Sequence, residues 1–170
     1  EALIETATAG KIRVSDFMPL PSAHPLCYGV CYLFGRNTRE NLTPFLRVLE
    51  RKNMREALKG GYLLHPDEKF EAAVRDGIDR LWAGSSSDKE AQGHLKTLKN
   101  ILKELYPAGR PLTVFERQGL GEKHSKTIYI HAHMDEDTFD TARVIKCPDM
   151  VPDESRKLIS ACAYNLFYRQ

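Results

Sequence analysis

"HPLCYGVCYLF", residues 24–34, is the stretch on which the fold turns. Residues 27–34 are rich in the aromatic and branched side chains that suit a buried, pleated surface, and they predict a strand. A proline-punctuated run, "MPLPSAHPL" (18–26), precedes it, and "GRNTREN" (35–41), which lacks apolar periodicity, reads as a loop after it. "KIRV" (11–14) is a further β-prone run.

The middle of the chain changes character. A helix is expected over 45–59, closed by Gly60 and Gly61. Phe70, Ala73, Val74, Ile78, Leu81 and Trp82 then recur at helical spacing, behind Pro66, Asp67 and Glu68, which suit a first helical turn. "GSSSDKE" offers Ser or Asp caps for a third helix, whose stripe is Leu95, Leu98, Ile101, Leu102 and Leu105 and which Pro107 and Gly109 end. Strand character returns in "KTIYIHAH" (126–133) and "KLISACAYNLFYR" (157–169), with a short helical segment near 137–147 for which Asp137 and Thr138 are suitable caps. Strands, three helices, strand, helix, strand is not a regular βαβ alternation. It predicts an α+β fold with a small, mostly antiparallel or mixed sheet and about three to four helices on one side.

At 170 residues, one core suffices, since a chain of this size buries roughly 70% of its unfolded surface. We read residues 1–170 as one domain, and neither end resembles a natural terminus, so a piece cut from a longer chain is expected. The 25 basic and 23 acidic side chains are spread throughout, leaving no basic stripe for nucleic acid. No run approaches the ~20 apolar residues of a membrane span, and no export signal opens the sequence. Membrane association is not indicated, and a cytoplasmic location is expected. Nucleotide-binding glycine loops and the serine-hydrolase elbow are missing too, which removes those chemistries.

Four cysteines, Cys27, Cys31, Cys147 and Cys162, in a reducing interior suggest metal binding or plain burial. On an extended strand Cys27 and Cys31 would share a face roughly 13 Å apart, too far for one metal unless the chain turns at Gly29. Cys31 reads as a small buried hydrophobe. Cys27 leaves a proline-rigidified loop, Cys147 precedes Pro148, and Cys162 adjoins "AYN", positions from which a fold can gather ligands. In "YIHAHMDED" (129–137), Tyr129, His131 and His133 share a strand face, and paired histidines can chelate zinc or iron. The run starts like the HxHxDH loop of metallo-β-lactamase-fold hydrolases, but Glu136 stands where the last histidine is required. The acidic residues Asp135, Glu136, Asp137 and Asp140 read as a helix start, His65 as a loop residue, and His94 as exposed.

Together, "SDFMPLPSAHPLCYGVCYLF", "KTIYIHAHMDEDTFDTARVIKCPDMVPDE" and "LISACAYNLFYR" resemble the C-terminal region of radical-SAM proteins of the tetraether lipid synthase type and their bacterial relatives. The resemblance spans nearly the whole chain. It implies a domain that contributes an auxiliary [4Fe–4S] cluster and part of a cavity for an apolar or conjugated small-molecule substrate, in a transferase performing radical C–C bond formation or methylation. S-adenosylmethionine would be bound by an upstream radical-SAM barrel of the same chain, which carries the CxxxCxxC loop lacking here.

Cys27, Cys147 and Cys162 match cysteine positions of such relatives, and His131 and His133 fall beside the cavity. Relatives commonly read "PLPCxHPxC", whereas Ser22 and Ala23 stand here, so the fourth ligand is open between Cys31, Ser22, His24 and an unfilled iron position. Two other readings stay beside this one. One is a mononuclear metalloenzyme using His131, His133 and a carboxylate such as Asp135. The other is a non-catalytic α+β interaction domain. No residue is assigned a catalytic role.

Overall fold

The computed structural model describes residues 1–35, 42–61, 64–65, 67–84 and 88–169. In chain order its elements are α1 (Ala2–Ala7), β1 (Met18–Pro19), β2 (Tyr28–Phe34), β3 (Thr43–Pro44), α2 (Arg51–Ala57), α3 (Glu68–Gly84), α4 (Lys89–Leu105), α5 (Val114–His124), β4 (Ser125–His131), α6 (Thr141–Ile145), β5 (Met150–Pro152), β6 (Leu158–Ser160) and α7 (Ala161–Ala163). The arrangement is the expected small α+β fold, with one four-stranded and one two-stranded sheet, both antiparallel. Among the described residues, no helix is long and apolar enough to cross a membrane.

β2 is the hub. β4 pairs along its full length, from Tyr28 opposite His131 to Phe34 opposite Ser125, while β1 and β3 share the other edge. Because side chains alternate, Tyr28, Val30, Tyr32 and Phe34 enter the main core with Phe45, Met54, Phe70, Val74, Leu98 and Ile101 from the helical layer. Cys31 and Leu33 point the other way, into a smaller cluster with Phe17, Ile4, Ile128 and Ile130. Cover on both faces explains why this strand is almost uniformly apolar.

Cys27 lies before β2 begins, in a turn where its N–H donates to the His24 carbonyl, and it packs with the main core. The two thiols therefore do not share a face as the strand spacing predicts. Gly29 is within β2, so no turn brings them together.

α3 and α4 follow their apolar stripes except at Trp82, which is 67% exposed with the Lys99 ammonium over its ring, and Asp88 caps α4 by accepting from the Glu90 and Ala91 N–H groups. The Ser85–Ser87 caps, Pro66 and the loop beyond Gly35 fall outside the described residues. The helix expected over 45–59 is instead a 3-10 turn (Phe45–Arg47) and the separate α2. Val48, between them, gives its carbonyl to the Arg80 guanidinium (3.3 Å), and α3 closes onto Val48 and Leu49 at Gly77. A Cβ at Gly77 would stand 3.0 Å from the Val48 oxygen, so this approach needs glycine.

Other expectations require correction. "KIRV" leads into a 3-10 turn, Val14–Asp16, rather than a strand. α5 was not anticipated, although "TVFE" is a capping box in which Thr113 and Glu116 satisfy each other's backbone N–H. α6 starts later than expected, capped by Asp140 in place of Asp137 or Thr138. His94 is not exposed: its side chain is 17% accessible and meets the Phe34 ring edge-on.

The run at 157–169 forms only the short β6, whose partner β5 ends the pairing. Ser160 then accepts from the Ala163 N–H and opens α7, followed by a π-helical turn, Tyr164–Tyr168. Cys162 is thus helical.

Candidate metal centre

The β2–β4 ladder ends in a corner rich in sulfur and nitrogen. Tyr28 and His131 are directly paired and stack, with ring centroids 4.1 Å apart and planes at 16°. One step further, the Ala132 N–H donates to the Cys27 carbonyl (2.9 Å), which brings the turn carrying Cys27 against the chain leaving β4. His133 follows with its ring 3.9 Å from that of His131. The period of two thus carries both imidazoles to the same side even though the strand ends at His131.

α7 closes the corner. The Met134 N–H donates to Cys162 Sγ (3.5 Å), and this sulfur lies 3.9 Å from His133 Nδ1. One donor atom from each of His131, His133 and Cys162 lies within 4.8 Å of the other two. A tetrahedral ion with bonds of about 2.0–2.3 Å keeps its donors roughly 3.5 Å apart, so a side-chain adjustment of about 1 Å would close this triad on one metal.

Cys147, just past α6, enters from another side. Its Sγ–H donates to the Asp149 carbonyl (3.2 Å), which also accepts from the Ala161 N–H (2.9 Å). Asp149 in turn accepts a hydrogen bond from the Tyr28 hydroxyl through the carboxylate oxygen that lies 3.8 Å from His131 Nδ1. Burial, then the Asp149 bond and charge, then the neighbouring Cys147 and Cys27 sulfurs, push the Tyr28 phenol far above its ordinary range. Burial likewise raises Cys147, assisted by Cys162 and Asp149 and opposed by backbone N–H groups. His131 is shifted down, by burial first and then by His133, against the pull of Asp149.

Arg143, on α6, completes the corner. It is buried, donates from Nε to Cys27 Sγ (3.4 Å) and gives a terminal N–H to the Ala132 carbonyl. Cys27 is thereby tied to the loop that bears His133.

Of the five sequence-expected residues, His131, His133 and Cys162 offer ligand atoms within 4.8 Å of one another, while Cys147 joins the corner through the Asp149 carbonyl and Cys27 through Arg143. The suggested fourth ligands are engaged elsewhere. The Ser22 hydroxyl donates to the Gly61 carbonyl, His24 Nδ1 accepts from the Leu26 N–H, and Cys31 is enclosed on the opposite sheet face. Burial pushes the Cys31 thiol up to about 12, with Asp16 adding to the shift and Arg47 opposing it.

Asp135 is occupied by Thr138, which donates both its hydroxyl (2.6 Å) and its N–H (2.8 Å), so it closes its own turn. These bonds hold its carboxyl below the usual range. The carboxylate near the imidazoles is Asp149, which the sequence reading missed, as it missed Arg143 and Tyr28. "CPD" gave the one local hint, a carboxylate two residues past a candidate ligand.

The donor set suits a thiophilic metal, because thiolates and imidazoles select zinc or iron over calcium or magnesium. Compared with protein-family models and with curated proteins, the chain matches none.

Proposed function

We propose that this chain is the C-terminal, auxiliary-cluster domain of a radical-SAM enzyme, with Cys27, Cys147 and Cys162 as cluster ligands and His131 and His133 lining the adjoining substrate cavity. The observation that carries this reading is that cysteines from three distant segments reach one corner, Cys162 beside His133, Cys147 on the Asp149 carbonyl and Cys27 on Arg143, with His131 against His133. Bound there, a [4Fe–4S] cluster would accept and donate single electrons. The chain's own residues would fix the thiolates, exclude water on the Tyr28 side and supply N–H groups to sulfur from Met134 and Arg143. S-adenosylmethionine and its cleavage would belong to an upstream barrel, and the substrate would be an apolar or conjugated small molecule.

Anaerobic reconstitution with iron and sulfide tests this. Uptake of both in cluster proportion, with visible charge-transfer absorption that Cys27→Ala abolishes, is expected. Protein that takes up no sulfide overturns it.

A second reading, a mononuclear zinc or iron site, is favoured by the 4.8 Å grouping of His131, His133 and Cys162. Under it, the His131→Ala/His133→Ala double variant loses one metal per chain while Cys27→Ala keeps it. Under the cluster reading the pattern reverses, and the histidine changes lower activity by about 10- to 100-fold with iron retained.

A further inference from the structure

Arg143 is a cation with an unusual setting. α6 has only five residues, and Asp140 pins its first turn by accepting from the Ala142 N–H (2.8 Å). That cap turns the third residue inward, where Arg143 is left 9% exposed. Its bonding partners are a thiol sulfur and a backbone carbonyl, and among the described residues no carboxylate lies within ion-pair distance of it. Asp149, the carboxylate beside His131, takes the Tyr28 hydroxyl instead. A guanidinium is always charged, and burying it unpaired is costly. The cost is offset if the sulfur it faces carries negative charge.

We propose that Arg143 is the built-in counter-cation of the sulfur centre: its Nε–H···Sγ hydrogen bond to Cys27 offsets the negative charge of the thiolate-bound group and sets that group's reduction potential higher. This rests on the auxiliary-cluster reading above. One-electron reduction makes a thiolate-ligated cluster more negative without breaking a bond, so a fixed adjacent cation stabilises the reduced form more than the oxidised one. The electron comes from a low-potential one-electron donor, dithionite in the assay.

Arginine suits the task because its planar fork reaches two acceptors at once and cannot be deprotonated. Here one arm holds Cys27 and the other holds the Ala132 carbonyl. Any change of charge at the sulfur is thus felt by the loop that presents His133. Cys147 follows four residues later, with its N–H on the Val144 carbonyl, so one short helix and the turn that ends it carry both the compensating charge and a proposed ligand.

The test compares reconstituted wild-type protein with Arg143→Gln, which keeps an N–H donor but loses the charge, and Arg143→Lys, which keeps the charge. At equal iron content, Arg143→Gln should shift the one-electron equilibrium toward the oxidised cluster by about tenfold, equivalent to about 59 mV. Arg143→Lys should recover most of that shift. Equal potentials in all three overturn the proposal while leaving the cluster reading intact.

Absence of iron and sulfide in the wild type overturns both, and the iron count tells the two failures apart. If Arg143→Gln does not hold iron, the wild type decides. Protein grown with nitrogen-15 arginine should show a nitrogen hyperfine coupling in the pulsed EPR spectrum of the reduced cluster, and its absence overturns the proposal.

Discussion

The helical layer and the corner at the end of β4 are built on opposite principles. In the core between β2 and the layer, Phe34, Met54, Leu58, Val74 and Leu98 are almost wholly buried and touch mainly other apolar groups. In the corner, Cys27, Tyr28, Arg143, Cys147, Asp149 and Cys162 are each held by a named polar contact, and much of the surrounding backbone is irregular. Burying apolar area gives stability without direction, whereas hydrogen bonds fix atoms in space with little net stabilisation each. The layer should therefore govern whether the protein folds, and the corner what it holds.

The sharpest way to break this contrast is Phe34→Ala. Phe34 is 1% exposed and packs on Phe45, so its loss should cost about 3–5 kcal/mol in urea unfolding. A cost comparable to that of a corner substitution would contradict the division. Next comes Gly77→Ala, which drives a methyl against the Val48 carbonyl and Leu49. It should destabilise by about 1–3 kcal/mol, despite alanine's better helix propensity.

In the corner, Tyr28→Phe keeps the stack on His131 and removes the hydroxyl from Asp149, for an expected loss of about 1 kcal/mol. A loss as large as that of Phe34→Ala would mean that the corner is part of the stability core. Arg156, in the β5–β6 connection, has φ +64, which a side chain resists. Arg156→Gly should stabilise by about 0.5–1 kcal/mol, read as a raised thermal midpoint.

The smallest effect concerns acid. Burial shifts His94 down, with Arg47 adding to the shift and Glu90 and Asp88 opposing it. The unfolded chain then binds the proton more readily than the folded one. The contribution is full above the ordinary histidine value of about 6.5 and is lost as pH falls through the lower folded value. His94→Gln should flatten the acid side of the stability profile, and an unchanged slope would place the acid-sensitive group elsewhere.

Periodicity made half of this molecule readable. α3 and α4 repeat apolar residues on one face and β2, covered on both, is apolar throughout, patterns that burial enforces. α5 escaped notice because it buries little besides His124, leaving only its capping box as a sign. The aromatic run after Ser160 looked like a strand, but strand propensity acts only where a partner edge is available, and β5 offers three residues.

The corner residues His131, His133, Cys27, Cys147 and Cys162 stood out in the sequence by residue type. Asp149 and Arg143 were not, because no local repeat registers one polar side chain against another across 121 or 116 positions.

The seven-residue register of β2 on β4 also has a kinetic meaning. β2 is made before the helical layer and its long partner only after it, and closing a loop of that length is slow and entropically costly. Tyr28 meets His131 only when this closure is complete and in register, since a slip of two residues would leave the imidazole opposite Val30 or beyond the strand. A nascent chain therefore offers no finished corner, and under the proposed metal-binding role capture of the ion would be a late event that reports on a correctly zipped sheet.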